Sequence, residues 1–229
     1  MGRFIFFTMV VSGVLLMPEM RAQDLQRTHT DRLDFPAGGT LRMPKCIGDV
    51  TVEGWDEPVL EITTVKSIKV RGDKTPGIDP KKLDRIEVTP ERKGNDVIVR
   101  TKFPKFNVLV RPFTGLSDFE LEYRIKAPRT AALEIGNQIG EVHINEMTGD
   151  IHATDRMGQI TVQVVPGSRY SVDARSKLGS IYSDVSGREK KRLKFGHTFI
   201  TEASGAKTLY LRIGLGDITI FDTPAPVQQ

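Results

Sequence analysis

The chain has 229 residues, 38% of them hydrophobic, which suits a single domain with an ordinary core. Its formal charge of +4 is too modest for bulk attraction to nucleic acid. One cysteine, Cys46, excludes an intramolecular disulfide, so the fold must rest on its core.

Arg3 followed by the apolar run Phe4 to Met17, and then Met20-Arg21-Ala22, reads as a secretory signal cleaved after Ala22. The run stops at Pro18-Glu19, short of the ~20 apolar residues needed to span a bilayer. Cleavage would remove Arg3, Arg21 and Glu19, lowering the formal charge from +4 to +3. The expected organisation is a signal peptide over 1–22, a flexible tail over 23–32, one domain over 33–221 and a C-terminal tail over 222–229. Export to the periplasm or beyond follows, with no membrane-spanning segment in the mature chain.

From residue 48 onward one cassette keeps returning: glycine, a polar residue, then two β-formers separated by an outward residue. It stands as Gly48-Asp49-Val50-Thr51-Val52, Gly140-Glu141-Val142-His143-Ile144, Gly149-Asp150-Ile151-His152-Ala153, Gly158-Gln159-Ile160-Thr161-Val162, Gly179-Ser180-Ile181-Tyr182-Ser183 and Gly216-Asp217-Ile218-Thr219-Ile220. Alternation of this kind is the period-2 pattern of a half-buried strand, and glycine marks the corner before it. Taking every second apolar pair gives two interleaved series, starting at 142, 160, 181, 198, 218 and at 133, 151, 170, 193, 209. Their steps predict an all-β, single-domain parallel β-solenoid of about 18–21 residues per coil, with two strands per coil. A three-sided coil of about 27 residues and either handedness remain open.

The stretch 71–117 interrupts the pattern and reads as an insertion or a broader coil. Within it, Asp79-Pro80 predicts a short helix start, and Gly94-Asn95 predicts a hairpin between Ile86-Glu87-Val88 and Val97-Ile98-Val99. Phe119 to Ile125 resumes as a clean strand.

Positive charge is uneven: residues 66–111 hold 13 Lys/Arg against 6 Asp/Glu, and a second cluster runs Arg188-Glu189-Lys190-Lys191-Arg192-Leu193-Lys194. Lys102, Lys105, Arg111, Arg188, Lys190, Lys191 and Arg192 are the candidate polyanion contacts. The same residues would also blunt an exposed β-edge against aggregation.

Catalytic signatures are sparse. His143 and His152 occupy outward positions on successive strands and should face opposite sides, which argues against a shared metal. The aspartates after the corner glycines lack the paired glycines of calcium-binding nonapeptide repeats, and turn chemistry accounts for them. An outward column containing Glu134, His152 and Asp173 is the best candidate for a carbohydrate-active site. No nucleophile elbow, zinc pair or phosphate loop occurs, so no cofactor and no enzyme activity are expected.

Leu41-Arg42-Met43, Ile47-Gly48-Asp49-Val50-Thr51-Val52-Glu53-Gly54-Trp55-Asp56, Tyr123-Arg124-Ile125-Lys126-Ala127-Pro128 and the later cassettes occur in an order that resembles the bacterial putative-adhesin family. The resemblance covers roughly Leu33 to Phe221. It implies an exported β-solenoid domain found in envelope proteins, with no established catalytic residues to carry over. The combined expectation is a non-enzymatic cell-envelope module that binds or scaffolds through an extended β-face. Its partners would be envelope polysaccharide, lipid headgroups or another envelope protein, and not nucleic acid. Alternatives are a carbohydrate-active β-helix enzyme and a polyanion-binding surface protein.

Overall fold

The structure, a computed structural model, describes residues 26–68, 80–103, 119–192, 196–201 and 207–222. Residues 1–22, expected to be a signal peptide, and the expected cleavage site after Ala22 lie outside them.

Among the described residues, fifteen strands are joined in one sheet: β1 (Gln26–Asp34), β2 (Thr40–Cys46), β3 (Asp49–Trp55), β4 (Val59–Ile68), β5 (Glu87–Lys93), β6 (Asp96–Lys102), β7 (Phe119–Pro128), β8 (Ala132–Asn137), β9 (Gly140–Met147), β10 (Ile151–Val164), β11 (Tyr170–Leu178), β12 (Ile181–Ser183), β13 (Arg188–Arg192), β14 (Gly196–Ile200) and β15 (Lys207–Phe221). A 3-10 helix, Pro80–Arg85, precedes β5, where the sequence predicts a helix start, and β5 and β6 form the predicted hairpin. The segment 23–32, expected as a tail, contains most of β1, which pairs antiparallel with β4 along its full length.

The long strands β10 and β15 hold the architecture together. Each bends at a corner glycine, Gly158 or Gly216, so its two halves lie in different stretches of sheet. The first half of β10 pairs with β8 and with residues 209–213 of β15. Its second half pairs with β9 and with residues 216–221 of β15. The result is a nearly closed, barrel-like sheet around one core. Inward side chains such as Leu41, Val50, Leu133, Val142, Ile151, Ile160, Leu209 and Ile218 are fully buried. Burying each Leu or Ile contributes about 1.5–3 kcal/mol.

This corrects the expected parallel β-solenoid in two respects. The pairing is mixed, with β1/β4, β4/β7, β5/β6, β11/β14 and β13/β14 antiparallel. Strands also do not stack in chain order. A solenoid would place residue 181 beside 160, yet Ile218 pairs with both Ile160 and Ile181. Likewise β3 lies between β7 and β9, and β2 between β6 and β8. The physical reason is that the cassette fixes which residues point inward and where the chain bends. Neighbouring cassettes are near-equivalent as pairing partners, so the repeat cannot dictate their order.

The corner glycines stack across strands. A Cβ on Gly158 would lie 1.7 Å from the Gly140 carbonyl oxygen, and one on Gly216 would lie 1.8 Å from that of Gly158. Both residues have positive φ, +151° and +132°. No side chain fits between carbonyls at that approach, which is why the cassette begins with glycine.

Candidate functional site

On one outer stretch of the sheet, β10, β15, β11, β14 and β13 run side by side. Alternation turns Ile151, Leu209 and Val172 inward and His152, Thr154, Arg156, Tyr210, Arg212, Asp173, Arg175, Lys177 and Thr198 outward. Register then aligns them in rows: Thr154 beside Arg212, Arg212 beside Arg175, Arg175 beside Thr198, and Thr198 beside Lys190.

A groove of about 610 Å³ lies across these rows, with Arg156, Arg175, Lys177, Arg212 and His197 on its walls and Gly214 in its floor. A Cβ on Gly214 would meet the Arg156 carbonyl at 2.5 Å, so this part of the floor stays bare backbone. A second depression of about 810 Å³ adjoins it through Arg175 and Thr198 and adds Arg188 and Lys190.

Two of these cations are held in fixed positions. Arg175 donates to both oxygens of Asp173 at 3.1 Å. Arg212 donates to Asp173 Oδ2 at 2.6 Å and to the Asp173 carbonyl at 2.7 Å, and its guanidinium sits 3.7 Å above the Tyr210 ring. Partial burial pushes the Asp173 carboxyl up, but the two arginines outweigh it and hold it below the usual carboxylate range. Arg156 and Lys177 make no ion pair among the described residues.

Beneath the groove, Asp155 is buried, and among the described residues its Oδ2 has no hydrogen-bond partner. Its Oδ1 accepts from the Met157 N–H at 3.2 Å. Burial pushes its carboxyl up to about 6.

The sequence-derived contacts are only partly brought together. Arg188 and Lys190 line the second depression. Lys191 and Arg192 belong to β13, but their side chains, and all of Lys105 and Arg111, lie outside the described residues. Lys102 is on β6, 3.6 Å from Glu87, in a separate part of the sheet. Arg156, Arg175, Lys177 and Arg212 were missed because they are spread over three strands, one each on β10 and β15 and two on β11, and form no run. A usable signal was present, since all four occupy outward positions of alternating strands.

Glu134, His152 and Asp173 do share one outer row, as the sequence predicts, but Tyr210 stands between His152 and Asp173. Three strand steps separate the carboxylates, about 14 Å, beyond the roughly 5–9.5 Å that glycoside hydrolysis requires. Glu134 is also ion-paired with Arg42, and Asp173 with Arg175 and Arg212.

His152 stacks on Tyr210 at 4.4 Å between ring centres, while His143 pairs with Glu141 at 2.9 Å on the other stretch of sheet. Among the described residues no group of three or more His, Cys, Asp or Glu is placed to hold a metal. The cassette aspartates serve the backbone: Asp49 accepts from Glu141 N–H, Asp150 from Thr208 N–H and Asp217 from Ser180 N–H. Cys46 is buried, and burial pushes its thiol up to about 12.

No family model matches the chain, and no curated protein matches it. Solved structures do. A "putative cell adhesion protein" from Clostridium sporogenes is similar at 12% identity and a TM-score of 0.50, over 86% of this chain and 100% of that one. A "putative adhesin" from Bacteroides fragilis aligns at 11% identity and a TM-score of 0.32, over 85% of this chain and 97% of the other. The first similarity extends to the fold alone. Among the described residues no helix is long and apolar enough to cross a membrane.

Proposed function

We propose that the chain is an exported, non-enzymatic binding module of the cell envelope that holds anionic ligands in the groove across β10, β15, β11 and β14. The observation carrying this reading is the convergence of Arg156, Arg175, Lys177 and Arg212 on one groove, continued by Arg188 and Lys190. Two of the cations are pre-positioned by Asp173, and Arg156 and Lys177 stay available for a ligand charge. Fixed guanidinium forks suit phosphate, sulfate or carboxylate groups. The adhesion name of the similarly folded Clostridium protein agrees with a binding role. Removal of residues 1–22 on export belongs to the same reading, which leaves a domain whose sheet begins with β1 at Gln26 and ends with β15 at Phe221.

Titration with dextran sulfate tests it. Binding should weaken steeply between low ionic strength and about 0.15 M, where screening acts over about 8 Å. The double variant Arg156→Gln, Lys177→Gln should bind about tenfold more weakly, a loss of roughly 1.4 kcal/mol. Equal affinity in the double variant would sink the assignment of this groove.

A further inference from the structure

Six large hydrophobic side chains stand most exposed among the described residues, and four of them lie in one line: Ile139 (51%), Met157 (47%), Leu215 (45%) and Leu178 (48%). Each immediately precedes a corner glycine. Pairing of Gly140 with Gly158, Met157 with Leu215 and Leu215 with Leu178 sets them on adjacent strands. At about 4.8 Å per strand they form a ridge of about 14 Å. Half-buried Ile47 extends it, because the Gly48 N–H donates to the Ile139 carbonyl at 2.8 Å. Exposed aliphatic side chains aligned in this way cost solubility and add little to the core, so the line calls for an occupant.

Arg156 and Lys177, on the groove wall, are the chain neighbours of Met157 and Leu178. The acids on the other flank are already engaged: Asp49 and Asp217 with backbone amides, Glu141 with His143. The ridge is one residue wide, each member being followed directly by a corner glycine. Four half-exposed side chains fall well short of the ~800 Å² per partner that a stable protein interface buries. An aliphatic line flanked by cations instead matches the boundary between acyl chains and acidic headgroups.

We infer that this edge docks on a lipid surface bearing anionic headgroups, with the ridge entering the interfacial layer and Arg156 and Lys177 meeting the phosphates. The inference rests on the anion-binding reading of the groove and names its partner.

Co-sedimentation with phosphatidylcholine vesicles, with and without phosphatidylglycerol, tests it on the chain from Gln23, which keeps every described residue. The protein should partition onto the phosphatidylglycerol vesicles. Met157→Gln, Leu178→Gln and Leu215→Gln together should weaken that partitioning at least tenfold while leaving dextran sulfate affinity within about twofold. Arg156→Gln with Lys177→Gln should weaken both. A Leu178→Trp variant gives a gain of signal, a blue shift of its emission on those vesicles only, read against the Trp55 background. Vesicle binding indifferent to the ridge substitutions, or no emission shift, overturns the lipid inference and leaves the groove reading standing. Loss of a wild-type dimer in the triple variant also overturns it, in favour of a second copy as occupant. Failure to bind either probe removes both readings.

Discussion

The chain reverses or bends along two edges of the barrel-like sheet, and the two are built differently. At one edge the corner glycines 48, 140, 158, 216 and 179 stack, and the residues before them are Ile47, Ile139, Met157, Leu215 and Leu178. At the other, polar side chains tie the turns together. Arg129 donates to Asp56 at 2.9 Å and to Glu146 at 2.6 Å, Thr148 to the Arg129 carbonyl, and the Tyr170 hydroxyl into the carbonyls of Met147 and Gly149. Among the described residues, four of the six large exposed hydrophobic side chains stand on the glycine edge. Folding needs account for the ties of the polar edge and for the inner side of the glycine edge. They do not account for its outer side, which is where function should be sought.

The largest expected effect is at the glycine column. Gly158→Val would place a Cβ 1.7 Å from a carbonyl oxygen and force a branched residue to φ +151°. The main chain must move, and we expect a loss above about 4 kcal/mol, enough to abolish a cooperative melt. Gly167→Ala serves as the control. That residue has φ +81° but nothing within 4 Å of its Cβ position, so only a strain of about 1 kcal/mol is expected. Similar melting temperatures for the two variants would show that the column is not a close-packed element.

Much of this edge was legible in the sequence. Gly140-Glu141-Val142 and Gly158-Gln159-Ile160 announced the corner, the inward residues and the outward ones, and register aligns them as the repeat implies. Less legible was which cassette neighbours which. The insertion of Ile218 between Ile160 and Ile181 depends on pairing across about 40 to 60 residues, and no local pattern records it. The cationic groove was hidden for the same reason, because Arg156, Arg175 and Arg212 become neighbours only through that insertion. The run that was visible, Arg188 to Lys190, lines the adjoining depression.

A medium effect is expected just inside the glycine edge. Asn137, Asp155 and Ser176 each lie three residues before a corner glycine. Asn137 Nδ2 donates to the Gly48 carbonyl at 3.2 Å and Ser176 Oγ to the Gly216 carbonyl at 2.9 Å. Asp155 Oδ2 and the Gly140 carbonyl crowd the same point beside Gly158, yet an ionised carboxylate has no proton to donate. Its folded pKa of about 6 lies above the ordinary 3.8. Between these values the folded state binds more protons than the unfolded state, so this contribution is complete below about pH 4 and is lost as pH rises through 6. At about 1.36 kcal/mol per pKa unit the loss should be about 3 kcal/mol. Asp155→Asn, whose amide can donate as Asn137 does, should flatten that dependence and raise stability at pH 7 to 8. Denaturant melts across pH 4 to 8 would show it, and an unchanged pH slope in the variant would place the titrating group elsewhere.

The smallest effects are the most discriminating for the two edges. Arg129→Gln removes a half-exposed double ion pair and should cost about 0.5–1 kcal/mol, or roughly 1–4 °C in Tm for a chain of this size. Leu215→Gln should change stability by less than about 0.5 kcal/mol, because the side chain is 45% exposed and contributes little to the core. A polar residue at Leu215 that leaves the melt unchanged would mean that nothing in folding requires leucine there, leaving a surface role as its explanation. A clear loss of Tm for Leu215→Gln, equal to or above that for Arg129→Gln, would instead make the line of aliphatics part of the core's rim and erase the contrast between the two edges.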